Sequence, residues 1–162
     1  MKRKTRLDVN CLNRNKLSRY EAEDSLKIEI ILPEKYADHC EIDASVKLLA
    51  VENLHLRRLE YDGRADQILI TDSSGSLEFT GKTDYDITVD QITGKLDVNQ
   101  WKAKAVVHIP EKNMVHVINR GRKCDVYYLK DDKVITYENT ADDPNELSVS
   151  GISSELIVDL TE

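Results

Sequence analysis

At 162 residues the chain is long enough for one domain of ordinary size or two small ones, and no run of 18 apolar residues offers a membrane-crossing helix. Apolar residues make up 40% and charged residues 33%, so the core is thin and half-sized units would have to pack together or against partners. The net charge of −7 is uneven, because residues 1–20 carry seven basic side chains and one acid, which excludes a uniformly acidic surface.

In chain order, the first element is a basic arm, with Lys2, Arg3, Lys4 and Arg6 as candidate contacts for nucleic acid or an acidic neighbour. No apolar run follows it, so no classical secretory signal is expected. No aromatic residue lies among its first nineteen positions, so base-stacking partners are missing there. The tetrapeptide Leu-Asp-Val-Asn stands at Leu7–Asn10 and again at Leu96–Asn99. Each copy precedes an alternating apolar segment, Leu26–Leu32 in one case and Lys102–Ile109 in the other. Each segment runs into Pro-Glu-Lys (Pro33–Lys35, Pro110–Lys112) with a histidine four residues later, His39 or His116. This self-similarity predicts an internal duplication, with a first β unit over 1–83 and a similar second unit over 84–162. The polar stretch Asn13–Asp24 is the extra loop of the first copy.

Further strands are predicted at Val46–Val51, Leu56–Tyr61, Gln67–Thr71, Leu77–Thr80, Tyr85–Val89, Cys124–Leu129, Val134–Glu138 and Glu155–Leu160. Asp62-Gly63, Ser74-Gly75, Thr93-Gly94 and Asp131-Asp132 carry turn chemistry between them. A short helix or a hairpin arm can follow each proline, and Asn139–Asn145 reads as an exposed loop. The expected fold is all-β with at most one or two short helices, its two similar units packed as a sandwich or double barrel.

Candidate chemistry is sparse. Asp84, Asp86 and Asp90 share one strand face, but same-face neighbours lie about 7 Å apart, too far to converge on calcium without a bend. They read instead as charge on a solvated edge strand. Cys11, Cys40 and Cys124 are too few and too widely spaced for a disulfide framework or a zinc site, which fits reduced thiols. Neither catalytic nor metal-ligating residues are expected, nor is a cofactor. Trp101, with Leu12 as its counterpart in the first copy, is expected in the core. Arg120, Arg122 and Lys123 form a compact basic cluster suited to a phosphate or an acidic partner. Glu146–Gly151 is similar over six residues to the DxSxxG step of PilZ cyclic-dinucleotide receptors. It starts with Glu and lacks that family's spaced arginines, so no function is carried over.

The expected function is therefore a non-enzymatic structural or interaction subunit of a larger assembly, with a phage virion or tail as the setting. Its expected partners are other protein subunits, in a homo- or hetero-oligomer assembled in the cytoplasm without a membrane. The alternatives are a phosphate-bearing ligand or nucleotide at Arg120, Arg122 and Lys123, and nucleic acid at the N-terminal arm.

Overall fold

The computed structural model describes residues 29–31, 38–113, 115–137, 139 and 143–162. The chain divides into two compact units, Met1–Ile30 and Ile31–Glu162, and the account below concerns the second. Leu7–Asn10 and Pro33–Lys35, the first-copy signatures of the expected duplication, lie outside the described residues.

The described chain is nearly all strand: β1 (His39–Glu52), β2 (His55–Thr71), β3 (Ser73–Gly81), β4 (Tyr85–Val89), β5 (Ile92–Trp101), β6 (Lys104–Pro110), β7 (Val115–Asn119), β8 (Asp125–Lys130), β9 (Lys133–Val134), β10 (Asn145–Ile152) and β11 (Glu155–Thr161). The segment after Pro110 holds a single 3-10 turn, Glu111–Asn113, and strand β7 begins at Val115.

All eleven strands belong to one sheet, and every ladder is parallel except the β8–β9 hairpin. Parallel neighbours usually need a helical crossover, because the chain must travel back before pairing again. Here a second strand makes the return. Residue His39 pairs with Arg58, Leu59 with Leu77, Ile68 with Ile87, Ser73 with Ile92 and Tyr85 with Ala105, so the chain advances one strand spacing every 18 to 20 residues. Such regular advance is a coil of stacked rungs, a β-solenoid. One side of the coil is formed by the first half of β2 with β3, β5, β10 and β7; the other by the second half of β2 with β4, β6, β11 and β8. Strands β2 and β3, before residue 84, pair with β4 and β5, after it, so one sheet runs across the expected boundary between units. Strand β4 is consequently interior, flanked by β2 and β6, and the edge-strand reading of Asp84, Asp86 and Asp90 is corrected.

In-register parallel pairing places like residues on like. One inward column runs Cys40, Leu59, Leu77, Leu96, Leu147, Val117; another on the opposite side runs Leu49, Ile68, Ile87, Val107, Val158, Tyr128. The two inward faces meet in one hydrophobic cluster. Period-two alternation supplies it, since each rung turns every second side chain inward. Tyr61 and Phe79 pack with tilted rings 6.2 Å apart. Burial pushes the Tyr61 hydroxyl up to about 12, and it bonds to the carbonyls of Ala44 and Arg64, tying neighbouring rungs at the bend.

The last rung is out of order. Strand β10 lies between β5 and β7, and β11 between β6 and β8, so the C-terminal rung sits inside the stack and the rung before it in sequence lies outside. Residues 133–137 and Asn139 lie across that outer rung. Asn139 accepts from the Val117 amide and donates to its carbonyl, Tyr137 donates to the Val115 carbonyl, and Tyr137 stacks on Tyr128 at 5.1 Å. These contacts satisfy backbone groups that a bare edge would offer to another strand.

Gly75 and Gly94, expected at turns, lie inside β3 and β5, where the strands bend together with φ of 115° and 125°. A Cβ added at Gly94 would stand 2.3 Å from the Gly75 carbonyl oxygen, which cannot retreat without parting the two rungs. Gly94→Ala is expected to lower unfolding free energy by about 3 kcal/mol, measured as an earlier urea midpoint at constant m-value. An unchanged midpoint would contradict the stacked bend.

Candidate functional site

Each rung crosses from one side of the coil to the other at a corner, and register aligns the corner residues as it aligns the core. Gly81 pairs with Gln100, which sets Lys82 beside Trp101 on the next rung. Trp101 pairs with Ile152, and Ile152 bridges to Arg122. The result is an outward column Lys82, Trp101, Ile152, Arg122. The next column is Lys102, Ser153, Lys123, and all three take left-handed backbone, with φ of 53°, 54° and 58°. That conformation costs non-glycine residues about 1–2 kcal/mol each. Stacking maintains it: the Lys102 amide donates to the Ile152 carbonyl at 3.0 Å, and the Ser153 amide to the Arg122 carbonyl at 2.9 Å. Ser154 Oγ anchors the corner from inside by donating to the Gln100 carbonyl at 2.6 Å.

The ridge sets two large apolar side chains side by side at the surface. Trp101 is 52% exposed and Ile152 40% exposed, so the core position expected for Trp101 is corrected: it ends β5 at the corner, where its side chain faces outward. Lys82 Nζ lies 5.5 Å from the Trp101 ring centroid, a cation–π contact that steadies the indole. Beside the ridge is a shallow groove lined by Lys102, Lys104 and Lys123 together with Asp84, Asp125 and Glu155, three cations against three acids.

The basic cluster expected at residues 120–123 is thereby divided. Arg122 belongs to the ridge and Lys123 to the adjoining column. Arg120 Nη1 is held by Glu146 Oε1 at 2.7 Å. The hydrogen bond from Arg120 holds the Glu146 carboxyl below the usual carboxylate range, and the same bond raises the Arg120 guanidinium. Lys2, Arg3, Lys4 and Arg6 lie outside the described residues.

Elsewhere the outward polar groups join one rung to the next. Arg58 contacts Glu60 and Glu78; Ser148 and Ser150 both donate to Asp97, at 2.6 and 2.7 Å. His108 stands 2.7 Å from Asp159 and 3.3 Å from Asp86, spanning three rungs. Cys124 is buried and Cys40 half-buried, both as free thiols, and burial pushes the Cys40 thiol up. Among the described residues, no cluster of three or more His, Cys, Asp or Glu is placed to hold a metal ion, and no helix is long and apolar enough to cross a membrane.

Compared with known proteins, the chain matches no family model, no curated protein and no solved structure.

Sequence reasoning missed Lys82, Trp101 and Ile152 as companions. Their signal is the spacing itself: Lys82 and Trp101 are 19 positions apart, the same step that separates Ser73 from Ile92.

Glu146 ties two rungs, so its ionisation contributes to stability. Because its folded pKa is depressed, that contribution is complete above the ordinary value of about 4.3 and is lost as pH falls below it through the folded value. Glu146→Gln is expected to flatten the fall in stability below pH of about 4, followed by urea unfolding at several pH values. An identical pH slope in the variant would contradict this role.

Proposed function

We propose that this chain is a non-enzymatic interaction subunit of a multi-protein assembly, and that it docks through the corner ridge. The observation that carries the reading is the half-exposed Trp101, stacked in register with Lys82, Ile152 and Arg122 on a backbone fixed from both sides. Tryptophan and arginine are enriched among the few residues that dominate protein interfaces, and a rigid anchor loses little entropy on binding. Lys82, Lys102, Arg122 and Lys123 around the indole fit a partner surface that is apolar at its centre and acidic at its rim.

The phosphate-bearing ligand has less support as an alternative. Arg120 is occupied by Glu146, and Asp84, Asp125 and Glu155 line the groove beside Lys123.

Mass in solution over a range of concentrations, together with affinity capture of protein partners, tests the proposal. Association with copies or with a captured subunit is expected, and Trp101→Ala should weaken it about thirty-fold while shifting the urea midpoint little, because the side chain is not in the core. A strictly monomeric protein with no tight partner, or an association that Trp101→Ala leaves intact, would sink the proposal.

A further inference from the structure

We propose that the C-terminal rung, β10 with β11, is exchangeable between copies: the rung of one chain fills the slot between β5/β6 and β7/β8 of another. The observation behind it is the inverted strand order, which also sets Ile152 beside Trp101 in the ridge. Rungs earlier in the chain pair with the rung before them, at an offset of 19 from β1 to β2 and from β3 to β5. The C-terminal rung pairs instead with residues 51 positions earlier on one flank and 30 positions earlier on the other. It is inserted between two partners rather than added at an end.

The slot is one rung wide, about 9.6 Å between the strands that flank it. Without its occupant, both walls would present unpaired backbone groups, which recruit whatever strand matches them. The match is specific to this chain's own sequence. Leu147 fits between Leu96 and Val117, Leu156 between Ala105 and Val126, and Val158 between Val107 and Tyr128. Asp97 takes both Ser148 and Ser150, and the Gly94 amide donates to Asn145 Oδ1. At Gly151 a Cβ would lie 2.0 Å from the Gln100 carbonyl oxygen, so the donated strand must carry glycine there. A strand meeting all these conditions is the same rung of a second copy. Residues 135–144 join β9 to β10. Ile135, Tyr137 and Asn139 stay bonded to the outer rung of their own chain, so the five residues before Asn145 set the reach, roughly 17–18 Å when extended, which passes the rung to a copy lying alongside. A chain's own rung has the advantage of effective concentration, so exchange is favoured when chains fold together at high concentration.

The test uses two full-length variants, Asp97→Cys and Ser148→Cys, whose positions are register partners. Adjacent strands lie about 4.8 Å apart, within the Cα separation a disulfide accepts. The two variants are unfolded, mixed, refolded together at high concentration, oxidised and run on a denaturing gel without reductant. A covalent heterodimer is expected well above the level that either variant gives alone through its native cysteines, and above that from variants folded separately in dilute solution and then mixed. A heterodimer no more abundant than in those controls overturns the exchange. The unsubstituted chain, refolded at rising concentration, should in parallel show a dimer fraction that persists on dilution, and a monomer throughout overturns it equally. A dimer without the covalent link places association on another surface, which removes the exchange and leaves the ridge reading standing.

Discussion

The in-register parallel backbone ladder is the constraint from which the rest of this structure follows. Each rung repeats the path of its neighbour, so a residue is judged by whether it stacks on the residue about 19 positions away. Leucine on leucine and isoleucine on isoleucine keep the core filled without helices, and glycine on glycine lets two bends nest. A thin supply of apolar residues suffices because both inward faces feed one cluster. Almost every core contact is then long-range in sequence, which raises the entropic cost of early folding and makes late insertion of a terminal rung a demanding step.

The same constraint organises the surface. Charges of opposite sign fall on adjacent rungs and pair there, as Arg58 does with Glu78 and Lys95 with Glu146. Exposed pairs of this kind contribute little each, so they reflect register more than they create stability. At the corner, stacking keeps three non-glycine residues in left-handed backbone and leaves an indole and an isoleucine facing solvent. An indole and an isoleucine adjacent at the surface, with Lys82 and Arg122 in the same column, are why the ridge carries the functional reading.

Much of the strand content was legible in the sequence. Alternation at Tyr85–Val89, Lys104–Pro110 and Glu155–Thr161 marks buried faces, and Asp131-Asp132 does form the hairpin turn, both residues with positive φ. Pairing was not legible from alternation, because a period of two tells which side chains are buried and not which strand lies alongside. Gly75 and Gly94 read as turns because a bend inside a strand and a reversal between strands ask for the same backbone freedom. Their 19-residue separation, matched by Ile68 with Ile87 and Leu77 with Leu96, is the spacing that the ladder follows, and the Leu-Asp-Val-Asn match does not share it. Strand β10 carries a weak apolar signal, because Ser148 and Ser150, which bond to Asp97, alternate with Leu147 and Val149. The core expectation for Trp101 rests on its residue type and on the apolar Leu12 as its repeat counterpart, and nothing local in the sequence marks a corner.

The winding order, with its inserted last rung, is tested most directly by through-space contacts between methyl groups in solution. Methyl-labelled protein should give cross-peaks from Leu147 to both Leu96 and Val117, and none between Leu96 and Val117, which stand two strand spacings apart, about 9.6 Å. A direct Leu96–Val117 contact, with Leu147 touching only one of them, would mean that the rungs stack in chain order and would contradict the account.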